Sequence, residues 1–294
     1  LLPFVCLAAV NANAQTVPAD LLDMSLEQLF SARISEAGQS NAADVRRLTL
    51  GYSMIVSDYR QYYDGNQGLS YDDVLWTPGV EARSDRNYPV VPTEIEQRVH
   101  TFSMDYRFDD HWSATLLIPL VQQSTDHISV IPGYDNFVID SDGVGDIGLL
   151  PSYHWTDDRD QQWKISLGLT IPTGSIDEQG DTPRAPGDQQ LPYTMQIGSG
   201  TYDVMSAISL DGRSGSLAYG GQVSAKVRTG RTDRGYTLGD VYTGSAWLGY
   251  EGWRALQPSL ALTYWSRGKI SGEDAELRVM NPQFPYPAPV VDPD

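Results

Sequence analysis

The stretch Val99–Phe108, VHTFSMDYRF, decides the fold. His100, Phe102, Met104, Tyr106 and Phe108 form one set; Val99, Thr101, Ser103, Asp105 and Arg107 form the other. Successive side chains of a β-strand point to opposite faces, so this period of two predicts a strand with one apolar and one polar face. The pattern recurs. In WKISLGLTIP (163–172), Trp163, Ile165, Leu167, Leu169 and Ile171 alternate with Lys164, Ser166, Gly168 and Thr170. In SLAYGGQVSAKVRTG (216–230), Leu217, Tyr219, Val223, Ala225 and Val227 alternate with Gln222, Ser224, Lys226 and Arg228.

Extending this reading predicts nine strands, near 48–62, 95–108, 112–125, 144–155, 162–173, 200–211, 215–230, 236–250 and 253–266. Their connections alternate in length. The brief ones are DDH (109–111), TDDRDQ (156–161), DGRSG (211–215) and EG (251–252). Those between are long (63–94, 126–143, 174–199 and the stretch after 267), except 231–235. Short turns at one end and long loops at the other are how outer-membrane barrels arrange their periplasmic and extracellular sides. Trp112, Trp155, Trp163, Tyr250 and Trp253 fall at the short-turn ends, where an interfacial aromatic girdle belongs. The expected class is all-β: an antiparallel transmembrane β-barrel in the cell outer membrane, with lipid as its surroundings. Bacterial single-chain barrels have even strand numbers, so nine strands imply more, and twelve is the expected total.

Composition agrees with this class and excludes another. The 294 residues carry 20 basic and 38 acidic side chains, for a formal net charge of −18. Phosphate binding needs clustered Lys and Arg, so nucleic acid is not an expected partner. Beyond residue 14 no stretch offers the ~18 consecutive apolar residues of a membrane helix, which leaves a closed barrel as the way to cross a bilayer.

The first residues, LLPFVCLAAVNANAQ, form an apolar run ending in Ala12-Asn13-Ala14, a small-residue pattern for cleavage before Gln15. Residues 1–14 are therefore expected to be a signal peptide clipped at its start, taking the only cysteine, Cys6, with it. Residues 15–44 are expected to be a periplasmic segment. Within it DLLDMSLEQLFSARIS (20–35) predicts a short amphipathic helix, with Ser25 and Gln28 at capping-box spacing and Leu22, Leu26, Leu29 and Phe30 on one face. Residues 45–294 are expected to be the barrel, cut within a Pro-rich loop at its C-terminal side.

Two glycine-rich strand entries and one strand end stand out: Gly143-Val144-Gly145-Asp146, Pro172-Thr173-Gly174, and Gln196-Ile197-Gly198-Ser199-Gly200 followed by Asp203. In this order they resemble the outer-membrane family labelled "MetA-pathway of phenol degradation", over about residues 45–266. The resemblance implies a transporter, and the family's label implies passage of small aromatic or hydrophobic molecules. The expected function is passive passage of a small-molecule solute. The alternative is a non-conducting barrel whose acidic extracellular loops bind a partner or cation. Read physically, the glycines suit a bulge or tight strand entry at a barrel rim. Asp146 and Asp203 then either accept hydrogen bonds from nearby amides or point inward and shape a channel's field.

Asp105, Arg107, Lys164, Ser166, Gln222, Lys226 and Arg228 lie on polar strand faces and are the candidate pore-lining residues. Two readings stay open for the charged ones: an ion-pair network filling the bore, or groups that set selectivity. No cofactor is expected. DSDGVGD (140–146) departs from the EF-hand pattern at Val144, leaving a loop calcium site of Asp140, Asp142 and Asp146 as the alternative to no metal. Gly198-Ser199-Gly200 is not a nucleophile elbow, and His100, His111, His127 and His154 are scattered. A Ser–His pair on adjacent strands is the one hydrolase arrangement such a barrel could carry, but no serine is tied to a histidine by sequence. No enzyme activity is expected.

Overall fold

A computed structural model describes residues 47–77, 88–253 and 257–277. The expected signal segment, the 20–35 helix and the stretch beyond 277 lie outside the described residues. Ten strands form one antiparallel sheet: β1 (Leu48–Tyr59), β2 (Val90–Arg107), β3 (Trp112–Ser129), β4 (Asn136–Val144), β5 (Ile147–Thr156), β6 (Gln162–Ile171), β7 (Tyr202–Ser214), β8 (Leu217–Thr229), β9 (Val241–Tyr250) and β10 (Ser259–Arg267). β4 pairs with Leu120–Ile128 of β3, and β5 pairs with Trp112–Leu117 of the same strand. They are two halves of one interrupted strand, so nine staves stand side by side in chain order. The result is an all-β, antiparallel half-barrel meander.

Antiparallel order puts the connections 108–111, 157–161, 215–216 and 251–258 at one end. The connections 60–89, 130–135, 172–201 and 230–240 lie at the other. One expectation is corrected here. Residues 126–143 are not a long link, because β2, β3 and β4 run on well past the apolar belt and leave only 130–135 between strands. On β2 beyond the belt the outer face turns polar, with Glu94, Glu96 and Arg98, while the inner face mixes Val91 and Ile95 with Gln97, so no outward apolar row marks the strand there.

The two faces are inverted relative to a water-soluble sheet. Outward from β1 project Leu48, Leu50 (72% exposed), Tyr52, Met54 and Val56. Phe102, Met104, Leu167 (63% exposed), Leu169, Val223, Leu260 and Leu262 continue this apolar surface across the other staves. The inner face carries buried Gln97, Thr101, Ser103, Ser113, Gln123, Ser152, Ser166, Thr170, Gln222, Ser224 and Thr243. At the short-turn end the aromatic side chains pack in pairs: Trp112 with Tyr153 (ring centroids 5.0 Å apart), Trp155 with Trp163 (5.8 Å) and Tyr250 with Trp253 (5.3 Å). Among the described residues no helix is long and apolar enough to cross a membrane.

Candidate functional site

The concave face is where the three glycine motifs meet. Pro119 of β3 has no N–H to offer its neighbour, and opposite it the partner strand breaks between β4 and β5. The Gly145 N–H donates to the Pro119 carbonyl at 2.9 Å. This break turns Asp146 inward, where it is 4% exposed. Its carboxylate accepts three hydrogen bonds, from the Gly174 N–H (3.0 Å), the Ser199 N–H (2.9 Å) and the Ser199 hydroxyl (2.6 Å). The Thr173 hydroxyl adds a bond to the Gly145 carbonyl at 2.7 Å.

The glycines answer to close approach. A Cβ on Gly174 would stand 2.6 Å from the Gly198 Cα, and one on Gly198 would stand 2.3 Å from the Gly174 carbonyl oxygen. The two backbones therefore cross at the base of the 172–201 segment. The N–H groups of Ile197 and Gly198 both donate to the Ser175 carbonyl at 2.9 Å, closing that base. Gly200 has a positive φ of 69° and leads into Asp203.

Asp203 is 0% exposed. It accepts bonds from the Thr201 hydroxyl (2.6 Å), the Thr170 hydroxyl (3.1 Å) and the Arg228 guanidinium, while the Lys226 ammonium lies 3.7 Å away. The Arg228 N–H donates to the Asp240 carboxylate at 2.8 Å. Both aspartates thus face inward and receive hydrogen-bond donors.

From its crossed base the 172–201 segment folds into the half-barrel. It contains a short antiparallel hairpin (Gln179–Thr182 with Ala185–Gln190) and a single 3-10 turn, Tyr193–Met195. Gln97 donates to Gln123 (3.0 Å), Gln123 to Ser141 (3.0 Å), and Ser141 to the Met195 carbonyl (2.7 Å), so a row of inner-wall side chains ends on this turn. Ile197 packs on Val99 and Val121, while Leu191 and Met195 pack on Ile139. On its far side Tyr193 packs against Tyr236, ring centroids 4.6 Å apart and the rings tilted, and its hydroxyl accepts the Asp274 N–H at 2.8 Å. Arg234 ties Asp177 (2.7 Å), Asp274 (3.2 Å) and Glu276 (3.1 Å) together above it.

The candidate pore-lining residues all lie on the inner-facing set. Ser166, Gln222, Lys226 and Arg228 are buried; Asp105, Arg107 and Lys164 are half-buried near the short-turn end. Arg107 donates to the carbonyls of Asp109 (3.1 Å) and Asp110 (2.8 Å), and Asp105 accepts the Thr115 hydroxyl at 2.7 Å. Ser166 shares a 2.7 Å bond with Ser152. Gly143 packs against Ile197.

The calcium-loop expectation is corrected. Asp140 and Asp142 are strand residues on the exposed outer face of β4, whereas Asp146 is buried inside and occupied by amide donors. Strand alternation separates side chains that a loop would have gathered. Among the described residues no group of three or more His, Cys, Asp or Glu is placed to hold a metal ion.

One pair was not legible in the sequence. The Ser113 hydroxyl and His154 Nε2 lie 2.8 Å apart across β3 and β5. The only route to this pair is the strand register, which sets Ser113 opposite Ser152. Ser113 is 2% exposed, and among the described residues no carboxylate hydrogen-bonds His154 to orient it. A nucleophile needs access and its base an orienting partner, so the pair reads as part of the inner polar network.

No protein-family model matches the chain, and no curated protein matches it. Among solved structures it is similar to the COG4313 outer membrane channel from Pseudomonas putida F1. That likeness has 13% sequence identity, covers 81% of this chain and 80% of that one, and has a TM-score of 0.48.

Proposed function

We propose that this protein is an outer-membrane channel that lets small solutes cross passively. The observation that carries the reading is the inverted sheet, with apolar side chains around the outside and hydroxyls, amides and paired charges within. In water such a surface would be driven to aggregate; in a bilayer it is the low-energy arrangement. The aromatic pairs at the short-turn end fit one membrane interface.

For the cargo, the sequence resemblance to the phenol-degradation family supports small aromatic or hydrophobic molecules. A second reading, a barrel that does not conduct, is favoured by the segment folded into its interior.

The test is reconstitution of the full-length protein into planar bilayers and solute-loaded liposomes. Stepwise conductance and swelling with small solutes are expected. A folded protein that passes neither ions nor solutes would overturn the channel reading in favour of the second.

A further inference from the structure

We infer that the 172–201 segment is the element that sets which solutes pass, and that Asp146 is the positioning residue that holds it there. This rests on the channel reading above. The segment enters and leaves through one crossing, Gly174 against Gly198, and both strands of that crossing donate to the one Asp146 carboxylate. Beyond the crossing it spans the concave side. Its turn touches the β2–β4 wall through Ser141 and Ile197, and the opposite loops through Tyr193.

The two attachments differ in kind. The base is bolted by a buried carboxylate with three short, charge-assisted bonds and by backbones in van der Waals contact. The turn is held by neutral side-chain bonds and small apolar clusters, which give way at lower cost. Restraint at the base therefore fixes where the segment sits, whatever the turn does.

The segment also carries charge. Within it Asp177, Glu178, Asp181 and Asp188 stand against the single basic residue Arg184; Asp177 is paired with Arg234 from outside the segment, and Asp181 and Asp188 are exposed at the long-loop end. Fixed acidic groups beside a narrow passage favour cations over anions. The segment would thus narrow the passage and bias it toward cationic and neutral solutes.

The test compares full-length wild-type protein with a variant in which residues 176–196 are replaced by a short Gly-Ser bridge over the crossing. Both are checked for a folded barrel by heat-modifiable gel migration. The expected result is a severalfold rise in single-channel conductance in potassium chloride, with the cation preference in a salt gradient reduced. Asp146→Ala should give an intermediate, fluctuating conductance, and Asp146→Asn, which keeps one acceptor oxygen, should stay nearer to wild type.

Equal conductance and equal ion preference in wild type and bridged variant would overturn this inference and leave the channel reading intact. Silence of both folded proteins would overturn the channel reading and this inference with it. A silent wild type beside a conducting bridged variant would overturn the channel reading and this inference with it, the segment then closing the barrel rather than selecting what passes. Should the bridged variant fail to fold, Asp146→Ala decides: conductance steps identical to wild type in size and steadiness would overturn the role given to Asp146 and the segment.

Discussion

Leu167 lies five residues from the start of β6 at Gln162 and four from its end at Ile171, with its side chain exposed on the outer face. At a rise of about 3.3 Å per residue and a tilt near 45°, it stands roughly 12 Å from the short-turn end of the strand. That is close to the middle of an apolar band about 25 Å tall. Leu217, also exposed and outward, begins β8 directly after the 215–216 turn and lies at the edge of the same band. The same substitution at the two depths therefore separates membrane exposure from any general effect of arginine on a strand. Leu167→Arg should cost about 2–4 kcal/mol and Leu217→Arg about 0–1 kcal/mol, the depth dependence measured for cationic side chains facing lipid. The assay is reversible urea unfolding from lipid vesicles, followed by tryptophan fluorescence and gel migration. Equal and negligible costs at both sites would refute the claim that this face meets hydrocarbon. Equal and large costs would show that leucine packing, not lipid depth, is what was lost.

Two further outcomes follow from the buried charges and the turns. Arg228→Met leaves Asp203 buried with Lys226 as its remaining charged neighbour, and should cost about 3–5 kcal/mol in the same urea titration. The double variant with Asp203→Leu should recover much of that, and a double variant no more stable than the single would show that the pairing is not the source. At the short-turn end, hydrogen bonds from the His111 and Trp112 amides hold the Asp109 carboxyl below the usual carboxylate range. A folded-state pKa below the unfolded one means that this contribution is fully present above the ordinary value of 3.8 and is lost as pH falls through the folded value. The Asp109 carboxyl carbon shift should be flat across neutral pH and move only in acid, below the ordinary carboxylate range; a midpoint at or above that range would refute the assignment.

How much of this was legible beforehand follows from the range over which each feature is determined. Alternation is a property of one strand, written every second residue, so VHTFSMDYRF and WKISLGLTIP disclosed their strands, their two faces and their outward apolar side without any partner. The brief turns and aromatic strand ends are equally local, and they carried the meander order. The extension of β2, β3 and β4 past the belt was hidden because a strand without a continuous outward apolar row resembles a loop in sequence. GVGD, PTG and QIGSG could be recognised as unusual, yet nothing within them says that they touch. That depends on the register of several strands at once. Asp146 reaches Gly174 across 28 residues and Ser199 across 53. The same register pairs Ser113 with His154 and splits Asp140 and Asp142 from Asp146. The sequence by itself determined which surfaces face out and in, because side-chain polarity and a period of two suffice for that. Only the tertiary structure decided that one loop folds into the interior and that one buried carboxylate holds it, because hydrogen bonds between distant segments form only after the strands have fixed one another's positions.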